Sequence, residues 1–371
     1  MDSFIPVNEP LLTGNVRKYL NECIDTGWIS SEGPFVEKFE EGFAKYLNRS
    51  SCIAVTNGTA ALELAVKALD IKEGDEIIIP SFTIISCAMA ITRAGAVPVL
   101  VDSMPDTWNM AVDDIEKKIT SKTKAIMVVH IYGLPVDMDS VLGIAQKHGL
   151  KIIEDSAESI GLRYDGKPCG GFGDISIFSF YANKHITTGE GGMVATNDPV
   201  LAERCRYFRN LCFKSPRFVH EDLGWNFRMT NIQAAIGLAQ LEQLELSIER
   251  KKAMGKKYTQ LLSDIPDIQL PLDKTAKSEN VYWVYGLVLS KQRQCKADVI
   301  MQKLAERGIG SRPFFWPMHE QPVLKQMGLF SGETYPVSEN LARYGFYIPS
   351  GIAITDEQIE KVSDVVHQVL A

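Results

Sequence analysis

The sequence predicts an α/β fold: a large domain with a mostly parallel central sheet, followed by a smaller α+β domain. Between about residues 50 and 200, short apolar runs alternate with helical patterns. The runs are continuously apolar, which is typical of strands covered by helices on both faces. After about residue 264 this regular alternation ends. We therefore assign residues 1–250, with the N-terminal arm, to the large domain and residues 251–371 to the small one.

The predicted elements of the large domain follow in order. Strand patterns are CIAV at 52–55, EIIIP at 76–80, AVPVLVD at 96–102, KAIMVVH at 124–130 and LKIIED at 150–155. Helical patterns separate these strands, first over 59–69 and then over 84–93. DISIFSF at 174–180 and GMVATN at 192–197 are spaced as an antiparallel hairpin.

The elements after residue 230 follow a different order. One long helix is predicted over residues 231–262, which is long enough to bridge two domains. WVYGLVLS at 283–290 predicts a strand, and ADVIMQKLAERG at 297–308 predicts a helix. The C-terminal segment predicts a helix with Thr355 as its N-cap and Gln358 three residues later.

Composition and charge exclude several classes of protein. The chain has 371 residues, of which 45% are hydrophobic and 23% charged, as in ordinary globular proteins. Its formal net charge of −7 argues against nucleic acid as the main partner. A small anionic substrate is still compatible, because a local pocket can be positive. No apolar run is long enough for a membrane span.

The seven cysteines are scattered, odd in number and without a C-x-x-C motif. This spacing supports neither a metal site nor a disulfide framework. The N-terminus has no basic leader before a long apolar core, so a signal peptide is not expected. We expect a protein of the reducing cytoplasm.

Three stretches carry candidate chemistry. Gly58 and Thr59 lie in a strand-to-helix turn, where free N–H groups favour a phosphate, although the turn also fits a simple N-cap. Asp155 ends a buried strand, and a carboxylate there needs a cationic or hydrogen-bonding partner unless it only caps a helix. Lys184 follows an apolar strand, and a desolvated lysine can form a Schiff base, although most lysines are surface residues.

Together, the three stretches match the anchors of pyridoxal 5′-phosphate. The phosphate needs N–H and hydroxyl donors, the pyridine nitrogen needs a carboxylate to stay protonated, and the aldehyde needs an amine.

Six longer blocks carry a family resemblance. They are GWISSEGPFVEKFE at 27–40, NGTAALELA at 57–65, EGDEIIIPSFT at 73–83, IEDSAESIG at 153–161, GDISIFSFYANKHITTGEGG at 173–192 and NFRMTNIQAAIGLAQLE at 226–242. Through them the chain resembles the sugar aminotransferases of the DegT/DnrJ/EryC1/StrS family over nearly its whole length. The resemblance implies a fold-type I pyridoxal phosphate enzyme, built like aspartate aminotransferase.

The resemblance also implies roles for single residues around the cofactor. Lys184 would hold the cofactor aldehyde and move the proton, while Asp155 would pair with the ring nitrogen. Glu158 would lie beside the ring hydroxyl. The phosphate would be bound by three residues of the same chain, Gly58, Thr59 and Ser179. It would also be bound by Asn226 of a second subunit, so that the active sites of a homodimer are shared.

The position after Thr83 usually carries an aromatic residue that stacks on the cofactor ring, and here it is Ile84. Either aliphatic packing covers that face of the ring or Phe82 has taken over the stacking. Candidate substrate contacts, for which packing between domains or subunits is the alternative, are Trp28, Ser30, His185, Arg228, Trp316 and His319.

The activity that the resemblance implies is transfer of an amino group from L-glutamate to a nucleotide-linked 4-keto-6-deoxyhexose. WISS, RMTNIQAAIGLAQL and SRPFFWPMH indicate the branch that makes a GDP-linked 4-amino-4,6-dideoxy sugar, for surface polysaccharide or O-antigen. UDP- or dTDP-linked sugars and amination at C3 are alternatives within the same chemistry. A non-catalytic regulator that binds the cofactor and a nucleotide sugar is an alternative of another class.

Overall fold

The computed structural model describes residues 4–370. Its strands are β1 Ser51–Val55, β2 Glu76–Pro80, β3 Val97–Val101, β4 Thr123–Val129, β5 Lys151–Asp155, β6 Arg163–Tyr164, β7 Lys167–Pro168, β8 Ile175–Ser179, β9 Gly192–Thr196, β10 Ile268–Gln269, β11 Tyr285–Leu289, β12 Arg312–Pro313 and β13 Gly345–Ile348. Its α-helices are α1 Val16–Thr26, α2 Pro34–Leu47, α3 Gly58–Ala68, α4 Ser86–Arg93, α5 Met138–His148, α6 Pro199–Arg209, α7 Asn231–Leu241, α8 Leu244–Leu262, α9 Ala297–Glu306, α10 Pro322–Gln326, α11 Pro336–Tyr344 and α12 Asp356–Leu370.

The large sheet has seven strands in the order β1-β9-β8-β5-β4-β2-β3. Strands β3, β2, β4, β5 and β8 run parallel to one another, whereas β9 is antiparallel to both β8 and β1. The predicted mostly parallel sheet and the predicted antiparallel hairpin of β8 and β9 are therefore confirmed.

Helices cover both faces of this sheet, which explains why its strands are continuously apolar. In β2, Ile77 and Ile79 belong to the apolar cluster that includes residues of α3 and α4. Ile78 between them belongs to the cluster on the other face, which includes residues of α2 and α5. Successive side chains of a strand point to opposite faces, so a strand covered on both sides has no position that faces water.

Two predicted helical segments differ from the structure. No α-helix connects β3 to β4; two short 3₁₀ turns, Val112–Asp114 and Glu116–Lys118, take its place. The predicted helix over 231–262 is broken into α7 and α8 at residues 242–243. The two helices pack against different neighbours: α7 lies against α1 and α2, whereas α8 contacts α12 in the C-terminal part of the chain.

A second, four-stranded antiparallel sheet has the order β10-β11-β13-β12. Tyr258 of α8, Leu304 of α9 and Val362 of α12 contribute to its apolar core. The predicted cap of α12 is confirmed, since Thr355 and Gln358 exchange side-chain and backbone hydrogen bonds of 3.0 and 3.2 Å.

The predicted division between residues 250 and 251 stays a prediction. This point lies inside α8, whose Ile248 packs in a cluster of the large sheet and whose Met254 packs with the second sheet. Phe314 and Leu341 come later in the chain but pack in the cluster that includes residues of α3 and α4. The C-terminal part of the chain is thus in direct contact with the large sheet.

Within residues 4–370, no helix is both long enough and apolar enough to cross a membrane. All seven cysteines are free thiols, and six of them are buried.

Candidate active site

A cavity of about 910 Å³ opens beyond the carboxyl ends of the parallel strands. Ligands of open α/β sheets bind at this edge because the strand ends and the following turns converge there. Seven of the predicted cofactor contacts line the cavity: Gly58, Thr59, Ile84, Asp155, Glu158, Ser179 and Lys184. They come from four separate parts of the sequence, at residues 58–59, 84, 155–158 and 179–184.

The first turn of α3 forms one end of the cavity. Asn57 caps the helix, and its side chain accepts a hydrogen bond of 2.8 Å from the N–H of Ala60. A β-carbon on Gly58 would lie 2.9 Å from the β-carbon of Ser179, so only glycine fits this close approach. The amide groups of a first helical turn lack intrahelical partners, and the helix dipole favours an anion there. This end of the cavity fits a phosphate group.

Asp155 is the last residue of β5 and is fully buried. One carboxylate oxygen accepts the N–H of Ala157 at 3.0 Å, and the other accepts the thiol of Cys87 at 3.3 Å. Burial raises the pKa of Asp155 above its usual range, and these hydrogen bonds and the charge of Lys184 only partly offset the effect. A cationic N–H donor in the cavity would stabilise the ionised form, which is the role of a pyridinium nitrogen.

The neighbouring carboxylate, Glu154, points to the opposite face of the sheet. It lies 3.0 Å from the Nε2 of His130 and accepts the N–H groups of Phe172 and Gly173 at 2.9 Å. Burial opposes ionisation, yet these hydrogen bonds and that of Gly170 bring the pKa of Glu154 down to about 2. Glu154 is therefore a satisfied structural anion, and Asp155 is the one that faces the cavity.

Lys184 ends a tight turn in which its N–H donates to the carbonyl of Tyr181 at 2.9 Å. Its side chain is only 10% exposed, and its Nζ lies 4.0 Å from the Oε1 of Glu158. Burial lowers the pKa of Lys184 and raises the pKa of Glu158 to about 7. A desolvated amine beside a weakly acidic carboxyl group is suited to holding and passing a proton.

Residues 225–228 are extended, and their side chains alternate between two sides. Trp225 and Phe227 line the cavity with rings stacked at 5.3 Å. Asn226 and Arg228 lie on the other side, where the Nε of Arg228 donates to the Oδ1 of Asn226 at 2.8 Å. Asn226 therefore does not line the cavity of its own chain, and its predicted role across a dimer stays a prediction. Arg228 borders a separate pocket of about 130 Å³.

Three further predicted substrate contacts also lie outside the cavity of the single chain. Trp28 and Ser30 belong to an exposed loop whose backbone carbonyls accept hydrogen bonds from Asn231. Trp316 is 47% exposed and packs against the guanidinium group of Arg343 at 4.4 Å. Their predicted contact with substrate stays a prediction.

Neither of the two candidate histidines lines the cavity of the single chain, and their predicted contact with substrate stays a prediction. His185 is buried on the far side of the lysine turn, where its Nδ1 lies 2.7 Å from the carbonyl of Ile160. His319 is 4% exposed and lies between Ser81 and Glu339, at 3.0 and 3.1 Å. Local hydrogen bonding occupies both ring nitrogens of His319, whereas the buried Nε2 of His185 has no hydrogen-bond partner among the described residues.

The two residues considered for the ring-stacking position lie in different surroundings, and which group covers the cofactor ring stays a prediction. Ile84 lines the cavity and is 45% exposed. Phe82 is fully buried among Tyr132, Phe314 and Phe315, so it does not take over the stacking position.

Sequence reasoning missed the aromatic lining of the cavity. Its members are Tyr181, Trp225, Phe227, Trp283, Phe315 and Tyr347. Trp225 and Phe227 flank Asn226 at alternate positions, a signal that could have been used. Trp283 is the first residue of a predicted strand, where an aromatic residue indicates only packing.

The residues of the cavity fit pyridoxal 5′-phosphate. An anion-binding helix end, a buried carboxylate in need of a cation and a desolvated amine are the donor set that this cofactor requires.

Comparison with known proteins agrees with this geometry. Residues 11–367 match the model of the DegT/DnrJ/EryC1/StrS aminotransferase family. The chain is 42% identical to a GDP-perosamine synthase of Escherichia coli O157:H7, over 98% of each chain. It is 41% identical to a GDP-perosamine synthase of Caulobacter vibrioides, over 99% of this chain and 98% of the relative.

A solved structure is similar over its whole length. The PLP form of a sugar aminotransferase, Spr1654 from Streptococcus pneumoniae, superposes with a TM-score of 0.90 at 27% identity and covers 99% of this chain and 100% of the other. The family match, the full-length relatives and the shared fold lead to one conclusion: the chain belongs to the DegT/DnrJ/EryC1/StrS family of aminotransferases.

Proposed function

We propose that the protein transfers the amino group of L-glutamate to the C4 ketone of a GDP-linked 4-keto-6-deoxyhexose, with pyridoxal 5′-phosphate as cofactor. The products are 2-oxoglutarate and a GDP-linked 4-amino-4,6-dideoxyhexose. The observation that carries the proposal is the convergence of the α3 turn, Asp155 and Lys184 on one cavity. The nucleotide and the sugar are proposed from the full-length relatives named GDP-perosamine synthase.

Each group of the cavity has a distinct task in this proposal. When bound, the cofactor supplies an electron sink that stabilises negative charge next to the reacting carbon. Gly58, Thr59 and Ser179 would hold its phosphate, and Asp155 would keep its ring nitrogen protonated. Lys184 would take the proton from the α-carbon of L-glutamate as general base and deliver it to C4′ of the cofactor as general acid. Glu158, at 4.0 Å, stabilises the charged form of Lys184 between these steps.

Turnover with a panel of sugar nucleotides tests the proposal. We expect the GDP-linked 4-keto-6-deoxyhexose to give kcat/KM about tenfold or more above its UDP- and dTDP-linked counterparts, because a base-specific pocket rejects the wrong base through unpaired polar groups. The measurement is 2-oxoglutarate released from L-glutamate, with NMR of the product to locate the new amine. Amination at C3, or a higher kcat/KM with another nucleotide, would contradict the proposed substrate. Absence of turnover with every sugar would favour the regulator.

We further propose that the active enzyme is a homodimer in which Asn226 contacts the phosphate of the partner's cofactor. Two features support it: Asn226 faces away from its own cavity, and Trp28 is exposed in the loop that Asn231 holds. A GDP-sugar product is an activated donor, and we propose that it serves surface polysaccharide or O-antigen synthesis. The free cysteines support work in a reducing compartment, for which we propose the cytoplasm.

Asn226→Ala is expected to weaken retention of pyridoxal phosphate about 10- to 100-fold, since a hydrogen bond to a charged group is lost. Mixing this variant with Lys184→Ala tests the dimer. At limiting cofactor, a mixed dimer carries one intact site if Asn226 acts across the interface. Random re-pairing of a two-fold dimer should then restore roughly a quarter of the sites. No gain of activity on mixing, or unchanged affinity for the cofactor, would remove Asn226 from the shared site.

A further inference from the structure

The turn that carries Lys184 is held by a tryptophan from a distant part of the chain. Trp283 lies just before β11 and is 5% exposed. Its indole N–H donates to the carbonyl of Asn183, the residue before Lys184, at 2.9 Å. The Nζ of Lys184 lies 3.7 Å from the centroid of the indole ring. One side chain therefore fixes the backbone of the turn and contacts the amine at its end.

Trp283 is itself held in place. Its carbonyl accepts a hydrogen bond of 3.1 Å from the Nζ of Lys251, a fully buried residue of α8. On the other side of the same turn, the side chain of Asn8 donates to the carbonyl of Ala182 at 3.0 Å. The turn 181–184 thus receives hydrogen bonds from two separate parts of the chain.

The ring contact acts on the charge of the lysine. The titratable groups around Lys184 are Glu158 and Asp155, which favour its charged form, and His185, whose burial keeps it neutral with a pKa lowered to about 3. Burial alone favours the uncharged amine. The face of an indole ring attracts an ammonium group, most strongly where water is excluded. Trp283 therefore opposes part of the desolvation and gives the ammonium a defined place.

We propose that Trp283 is a positioning residue for the reaction: it orients Lys184 through the Asn183 carbonyl and holds the ammonium against its ring. The inference rests on the proposed function through the role of Lys184. Trp283 acts through Lys184. Its effect should therefore appear both in the rate of turnover and in the pH at which Lys184 becomes reactive.

Two substitutions separate the two contacts. Trp283→Phe keeps a ring face but loses the indole N–H, whereas Trp283→Leu loses both. Trp108→Leu is the matched control, since Trp108 is a buried tryptophan of the same apolar cluster, 3% exposed, that does not line the cavity. Thermal unfolding of all variants measures the cost of lost packing.

The first readout is the rate at which cofactor-free protein takes up pyridoxal phosphate, measured against pH. Lysine reacts in its neutral form, so loss of the ring contact should move the midpoint of this profile. We expect Trp283→Leu to lower the midpoint by about one pH unit, the size of a desolvated ring–ammonium contact. Trp283→Phe should stay near the wild-type midpoint. A purely structural role would lower thermal stability in each variant and leave every midpoint unchanged.

The second readout is turnover. We expect Trp283→Phe to lower kcat about tenfold through the freed turn, and Trp283→Leu about 10- to 100-fold. Wild-type turnover in Trp283→Phe overturns the proposal even if Trp283→Leu does not fold. A wild-type midpoint in Trp283→Leu, or the same shift in Trp108→Leu, also overturns it. If Lys184→Ala is inactive while the Trp283 variants behave as wild type, only this inference fails; an active Lys184→Ala defeats the proposed function itself.

Discussion

Lys184→Ala is expected to lower turnover by about 10⁴-fold or more, because the variant loses the amine that we propose both holds the cofactor and carries the proton. The absorbance of the bound cofactor in the visible range should disappear at the same time. The fold should survive, since the change removes a desolvated charge, and Glu158 at 4.0 Å can take up a proton in response. Steady-state release of 2-oxoglutarate and the absorption spectrum are the measurements.

Lys184→Arg is the informative control for this change. It keeps a positive charge beside Glu158 but offers no amine that can be deprotonated near neutral pH. If charge alone mattered, the arginine variant would retain turnover. We expect it to be as inactive as the alanine variant, and near-normal turnover in either would remove Lys184 from the reaction.

The sequence predicted the polar anchors that line the cavity because they lie at the ends of recognisable elements. Asp155 terminates an apolar strand, Gly58 opens a helix, and Lys184 follows β8. Such positions follow from local pattern together with the rule that parallel strand ends meet at one edge. The confirmed hairpin of β8 and β9 and the cap of α12 are likewise local features.

The features that were not predicted depend on packing between distant segments, and local sequence patterns do not show which distant segments meet. Trp283 reaches the lysine turn across about one hundred residues, and its partner Asn183 carries no mark of this contact. His319 has the residue type of a binding group, but Ser81 and Glu339 occupy its ring. The break between α7 and α8 follows from two different neighbours rather than from a helix-breaking residue.

Asp155→Asn is expected to lower kcat by about 10²- to 10³-fold, the usual effect of removing a preorganised electrostatic partner. The asparagine oxygen can still accept the N–H of Ala157, so the geometry of the strand end is kept. What is lost is the negative charge that, in the proposed function, keeps the ring nitrogen of the cofactor protonated. Asp113→Asn, the same change at an exposed position, is the matched control. Wild-type turnover in Asp155→Asn would contradict the assigned role.

Asp155→Asn should also stabilise the cofactor-free protein. This effect is measured as thermal stability and does not depend on activity. Burial raises the pKa of Asp155, so the folded state binds this proton more tightly than the unfolded chain does. The charge therefore destabilises the fold increasingly as pH rises through the raised pKa, and the penalty vanishes at low pH. Asp155→Asn should melt above wild type at neutral pH and converge with it in acid. A residue that is costly to the empty fold yet required for turnover has been retained for its chemistry.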